Sequence, residues 1–351
     1  MLRKITLWVL LLAAFGGWAV TAAQEAPVAS GLNNPRHMAL AADGTLYIAE
    51  AGSGGEGSAT GPFGPVKVGT TGQITAIAPD GTQSVALSGL LSMDAGFGQV
   101  EGPTSVYPTE TSLWVTLGMG PQDPGEGRQV SALAEFDLAT GERLQVIDLA
   151  AYEFENNPDQ AGETVSNPAD IAVSADGVVY IADASGNVLY AWTEADGLSI
   201  FAVWPINDTD PQAVPTAVSV GPDGDVYVGF LSGFPFPTRG ARIERYAPDG
   251  TLKETYSGLT LVTDILVTSD GTLYAVQFAS QFGDLGYVAD SGSVVKVTAD
   301  GLEPIAEDLN FPYGLVQNAA GALLVNINSY GIASDGALIT GEGAVIALEE
   351  S

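Results

Sequence analysis

The chain has 351 residues, 46% of them hydrophobic, and carries 11 Lys and Arg against 42 Asp and Glu, a formal net charge of −31. That length and apolar content suffice for a large core, and so acidic a surface repels phosphate backbones, which excludes nucleic acid as a partner class. The absence of cysteine excludes disulfides, cysteine-ligated metals and a lipid-modified cysteine.

Arg3 and Lys4 precede an uncharged stretch from Ile5 to Ala23 that ends in the small residues Thr21, Ala22 and Ala23. This is the pattern of a secretion signal, residues 1–23, with cleavage before Gln24; retained, the same stretch would be a membrane anchor. Cleavage places the protein outside the cytoplasm, secreted, periplasmic or at the cell surface, with no membrane span.

Pro27–Leu32 (PVASGL) then reads as a short strand. From Asn34 onward one unit recurs six times: an apolar strand, a tight turn, and a second strand with an aromatic near its middle. The copies are Asn34–Gly52, Gly102–Gly120, Asn167–Gly186, Val214–Gly233, Val262–Ser280 and Phe311–Gly331. Repeats at this period bury their apolar faces only against neighbours. Full copies continue into two further alternating strands, such as Gly72–Ala78 with Ser84–Leu90 and Ala241–Ala247 with Glu254–Leu259. Asp-Gly turns at Asp43, Asp80, Asp176, Asp196, Asp223, Asp249, Asp270 and Asp300 supply the positive φ that hairpins need.

Four strands per copy make a propeller blade, so residues 24–351 are predicted to form a single all-β domain, a six-bladed β-propeller. The last copy has only Gly343–Glu350 after its second strand. Pro27–Leu32, which resembles Ser84–Leu90, is predicted to supply the missing outer strand and remove an open edge. Eight long connections, Gly52–Thr71, Ser88–Glu101, Gly118–Val130, Ala150–Ser166, Trp204–Ala213, Leu231–Gly240, Ser280–Ser291 and Asn328–Glu342, should share one face, where binding is expected.

From about Gly31 to Leu348 the chain resembles the ScyD/ScyE family of secreted propellers and, more loosely, NHL-repeat and SMP-30/gluconolactonase propellers. The matching stretches are Asn34–Gly52, Phe63–Ile77, Leu149–Asp159, Ser166–Val173 and Gln212–Pro237. The AAYEFENNPD insertion and the GFPFP loop are the more specific of these. The resemblance implies a secreted propeller and assigns no catalytic residue. Relatives often carry Glu where Phe230 and Gln277 stand; Glu50 and Asp183 remain acidic at the matching ends of second strands, and His37 stands where relatives commonly have Gly.

Candidate metal ligands are Glu101, Asn167, Asp264 and Asn34, oxygen donors at the starts of inner strands that suit Ca²⁺ if they converge on the axis. Glu-Gly-Pro at Glu101 and the Ser166-Asn167 pair resemble the metal-binding positions of SMP-30-like lactonases. Without convergence, Asn34 and Asn167 serve as caps of loop-to-strand bends. His37 is the only histidine, so any Ser–His–Asp chemistry would rest on it; its place in a predicted inner strand suits a channel-lining or hydrogen-bonded core residue better. Trp204, Phe234 and Phe236 offer aromatic surface on the long-loop face, with Glu50, Asp183 and His37 as further candidate ligand contacts. Two functions follow: a non-catalytic module that binds a small molecule, glycan or protein, or a calcium-dependent lactonase or hydrolase at the channel mouth.

Overall fold

A computed structural model describes residues 26–96, 98–122, 130–207, 210–284, 286–331 and 339–348. The expected signal segment, residues 1–23, lies outside them. Among the described residues, six antiparallel sheets have four or more strands. Their innermost strands are Pro35–Leu40, Pro103–Pro108, Pro168–Val173, Pro215–Val220, Val262–Val267 and Leu315–Gln317. Each touches the next and the last touches the first, so the sheets close into the ring of a β-propeller.

The aromatic in each second strand explains why the repeat carries one. Tyr47 packs with Val106 and Leu113 of the following blade, Trp114 with Ile171, Tyr180 with Val218, Tyr227 with Ile265, and Tyr274 with Leu315. In the sixth blade Leu324 does the same against Met38 and Leu46 of the first. A blade therefore cannot bury its core face alone. Outer strands such as Leu252–Leu259 are mostly exposed and polar, as a solvated rim requires.

Closure follows the expected route. Ala29–Leu32 pairs antiparallel with Gly343–Ala347, with Ala29 opposite Val345, Ser30 opposite Ala344 and Leu32 opposite Gly343. Ala29 and Leu32 are buried in the cluster that joins the sixth and first blades. The Asp-Gly turns cap the strand ends remote from the axial cavity described below. Gly44, with φ +86°, is typical, and Asp43, Asp80 and Asp249 accept the amide of the residue two positions on, which holds these carboxyls below their ordinary range.

Two connections carry more structure than the spacing suggests. The first blade's third and fourth strands run on as Gly64–Ile77 and Gln83–Gly96, with Gly57–Gly61 added beside the former. Continued ladder pairs such as Val68 with Met93 sustain this hairpin beyond the disc. Ala150–Ser166 opens with a helix, Leu149–Asn156, whose first turn is capped by the Asp148 side chain accepting from the Ala151 amide at 2.9 Å. No helix among the described residues is long and apolar enough to cross a membrane.

Deleting residues 24–32 exposes the edge of Gly343–Ala347 and removes Leu32 from its core. Denaturant unfolding should show a loss of at least about 2 kcal/mol, the low end for removing a buried leucine. A midpoint equal to the parent's would show that this strand does not carry closure.

Candidate functional site

Five of the six innermost strands share one irregularity near their start. Register slips between Pro35 and Met38, Pro103 and Ser105, Pro168 and Asp170, Pro215 and Ala217, and Val262 and Asp264. Such bulges re-aim side chains. The residue just after the proline position, namely Arg36, Thr104, Ala169, Thr216, Thr263 or Tyr313, lines a cavity at the ring centre. The residue after that, His37, Ser105, Asp170, Ala217, Asp264 or Gly314, lies one level deeper. Gly314 is a packing requirement: a Cβ there would sit 2.6 Å from the Arg36 carbonyl oxygen.

The cavity has a volume of about 760 Å³, and every one of the eight long connections contributes to its wall. One side is aromatic. Phe236, Phe278, Tyr287, Tyr313 and Tyr330 line it and meet in edge and tilted contacts, including Phe278–Tyr287 at 5.1 Å and Tyr287–Tyr330 at 5.6 Å. Phe234 also lines the cavity and is 75% exposed, as is Phe63, at 76%, from the tip of the long hairpin.

Polar groups complete the wall. Arg36 donates to the carbonyls of Ser329 at 2.7 Å and Val100 at 2.9 Å, and its guanidinium lies 4.9 Å from the Tyr313 ring centre. It thereby ties the first blade's inner strand to the sixth blade and to the Gln99–Glu101 strand, which pairs with Gln83–Gly96 and leads into the second blade. Glu101 and Asn167 also line the cavity. Burial pushes the Glu101 carboxyl up, opposed by the Arg36 charge and a hydrogen bond from Asn167. Gly102, beside Glu101, has no room for a side chain, since a Cβ would lie 2.4 Å from the Ala51 oxygen; the Glu-Gly-Pro pattern has a packing cause.

Beneath the floor, His37 Nδ1 stands 3.4 Å from Asp264 Oδ1 and 3.6 Å from Asp170 Oδ1, all three residues buried. Burial alone would push the imidazole pKa down, but the two carboxylates outweigh it and hold it well above its ordinary value. Burial and the Asp264 charge raise Asp170, opposed by His37. Asp170 accepts from Ser105 Oγ at 2.7 Å and the Val218 amide at 2.9 Å; Asp264 Oδ2 accepts from the Leu315 amide at 2.7 Å. Each aspartate therefore also clamps the next blade.

The four expected calcium ligands divide among three places. Glu101 and Asn167 meet at the cavity, Asp264 lies deeper with His37, and Asn34 turns away, its amide donating to the Gly52 carbonyl at 2.9 Å. Asn34 has φ 52° and caps the bend, while Asn167 Oδ1 accepts from the Met119 amide at 2.7 Å. Glu50 and Asp183 are wholly buried and outside the cavity wall. They accept the amides of Asn33 at 2.6 Å and Asn167 at 2.7 Å, fastening the chain before the inner strand; Gln277 does the same for Thr260 at 2.7 Å. Trp204 also lies off the cavity. Its indole N–H donates to Glu244 at 2.9 Å and its ring packs edge-on against Phe230 at 4.8 Å.

Sequence reasoning found Phe234 and Phe236 but missed Arg36, Asp170 and the rest of the aromatic wall, Phe278, Tyr287, Tyr313 and Tyr330. Aligning the copies by their prolines puts Asp170 at the His37 and Asp264 level, so that signal was present. Glu153 was also missed: the helix turns it inward, its Oε2 accepts from Tyr190 Oη at 3.0 Å, and its Oε1 has no hydrogen-bond partner. Burial, with Asp183 and Asp159 nearby, pushes its pKa up to about 7.

No family model and no curated protein matches this chain. Solved structures do. A gluconolactonase from Xanthomonas campestris aligns with a TM-score of 0.52 at 15% identity over 92% of this chain and 88% of its own. A Thermus thermophilus protein described as an oxidoreductase (glucose dehydrogenase) aligns at 0.55 and 13% over 92% and 99%, and a streptogramin B lyase at 0.50 and 13% over 92% and 96%. At these identities the likeness establishes the propeller fold that they share.

Glu153 is protonated more readily in the folded chain than in the unfolded one, so its contribution is fully present below about pH 4.5 and is lost as pH rises through about 7. Glu153→Gln keeps the Tyr190 bond without the buried charge. It should raise the melting temperature at pH 8, by about 1–3 kcal/mol of stability, and change it little at pH 4.5. Equal shifts at both pH values would contradict this assignment.

Proposed function

We propose that this chain is an extracytoplasmic, non-catalytic propeller, ScyD/ScyE-like, that binds a small molecule with a flat apolar part in its central cavity. The carrying observation is the convergence of all eight long connections and the bulged inner strands on one space of about 760 Å³ with an aromatic wall. That volume lies within the range of small-molecule sites, and a mostly apolar wall with few placed polar groups is their usual make-up. Phe236, Phe278, Tyr287 and Tyr330 supply the apolar contacts; Arg36, Glu101 and Asn167 orient the ligand's polar end. The charge pattern of residues 1–23 supports an extracytoplasmic location.

The alternative is a calcium-dependent lactonase. The pairing of Glu101 with Asn167 and the fold shared with a gluconolactonase favour it. Against it, the Arg36 charge acts on Glu101 where a calcium ion would, and Asp264 and Asn34 are engaged elsewhere. The binding reading is therefore the better supported.

A neutral aromatic probe, N-phenyl-1-naphthylamine, tests it without interference from the acidic surface. Fluorescence titration should give one site per chain. Phe236→Ala and Tyr330→Ala should each weaken binding by about 1 kcal/mol, roughly fivefold, while the exposed Phe154→Ala should have no effect. Equal affinity in all four proteins would remove the cavity as the binding site. Calcium-stimulated hydrolysis of lactones, abolished by Glu101→Gln, would replace the binding reading with the lactonase.

A further inference from the structure

We infer that His37, Asp170 and Asp264 form a binding site for a small divalent cation of the zinc class on the propeller axis. This site is separate from the Glu101–Asn167 pair and does not depend on what the cavity binds. Its three donors come from the first, third and fifth blades, and their ligand atoms all lie within 4.8 Å of one another.

The spacings carry the inference. A charge-assisted N–H···O bond closes to about 2.7–2.9 Å. His37 Nδ1 instead stands 3.4 and 3.6 Å from the two carboxylate oxygens. In a tetrahedral shell with bonds of about 2.0–2.1 Å, neighbouring ligand atoms are separated by about 3.4 Å. The imidazole and the carboxylates thus stand at the separations of neighbouring ligands in a coordination shell, longer than a closed charge-assisted hydrogen bond.

Burial and charge point the same way. The residues are only 2–5% exposed. An imidazolium between two carboxylates leaves one negative charge in that setting; a neutral imidazole, two carboxylates and a divalent cation sum to zero. Buried charge that is not compensated is costly. Both aspartates are held by backbone amides and Ser105, so their oxygens are positioned before an ion arrives. One nitrogen with two oxygens suits zinc or a similar transition ion. Calcium prefers six to eight oxygens.

The single histidine makes the test direct, because a ¹⁵N-histidine label in the untagged chain reports one ring. Zinc titration should bind one ion per chain that survives dialysis. It should also move the ring to a neutral form, metal-bound at Nδ1 and protonated at Nε2, and raise the melting temperature. Calcium at matched ionic strength should leave the ring unchanged. The near-isosteric Asp264→Asn should weaken zinc binding by more than about 100-fold, the upper range for losing a supporting group. A ring that stays imidazolium in excess zinc overturns the site, and needs only the wild type should Asp264→Asn not fold. Equal zinc affinity in wild type and Asp264→Asn assigns the ion to surface carboxylates and overturns it too.

Discussion

The bulge at the start of the inner strands is the constraint from which the centre of this molecule is built. A regular strand would send successive side chains to opposite faces. The bulge lets two consecutive residues serve the axis, one as cavity floor and one as buried lattice. The floor residues also clasp sideways. Thr104 donates to the Pro168 carbonyl at 2.7 Å, Thr216 to Val262 at 2.7 Å and Thr263 to Tyr313 at 3.0 Å. Asp170 accepts from Val218, Arg36 reaches Val100 and Ser329, and Asn326 donates to the Arg36 carbonyl. Five of the six junctions around the ring therefore carry a hydrogen bond near the axis, and at the sixth Arg36 holds the Gln99–Glu101 strand that leads into the second blade.

This arrangement explains which features were legible in the sequence. Strand alternation, Asp-Gly turns and the aromatic of each second strand are local signals with local causes, and they yielded the ring, its closing strand and the face bearing the long connections. The helix at Leu149–Asn156 was hidden because eight residues within an insertion give a short periodic signal, though its Asp148 cap was readable. The site was only partly legible because a bulge changes which of two neighbours faces the axis. His37 and Asp264 were chosen separately, and their meeting with Asp170 depends on a geometry that no single strand reveals. Glu50 and Asp183 were conspicuous as acids yet act inside their own blades, since strand-end carboxylates are well placed to accept the amides of the preceding loop.

The acidic composition has its largest consequence at the surface. The cavity wall holds Arg36 alongside Glu101 and Glu163, one cation against two acids among the lining residues. Selectivity there rests on shape, aromatic contact and a few polar groups, whereas the formal charge of −31 governs what approaches from outside.

Tyr313 links the two levels. Its ring lies under the Arg36 guanidinium at 4.9 Å and edge-on to His37 at 5.2 Å, while its carbonyl receives Thr263. Burial pushes its phenol up to about 12, so it stays neutral and serves as an apolar lid between the cavity and the charged cluster. A lid of this kind keeps water from the carboxylates below and gives a cavity ligand a flat aromatic surface above. Both levels tie the ring together: floor residues such as Thr104 and Thr216 clasp the next inner strand, and the aspartates below them clamp the third blade to the fourth and the fifth to the sixth. Substitutions at Ala169, which lines the cavity without a side-chain hydrogen bond, and at its neighbour Asp170, which clamps the fourth blade, consequently act on different properties of the molecule.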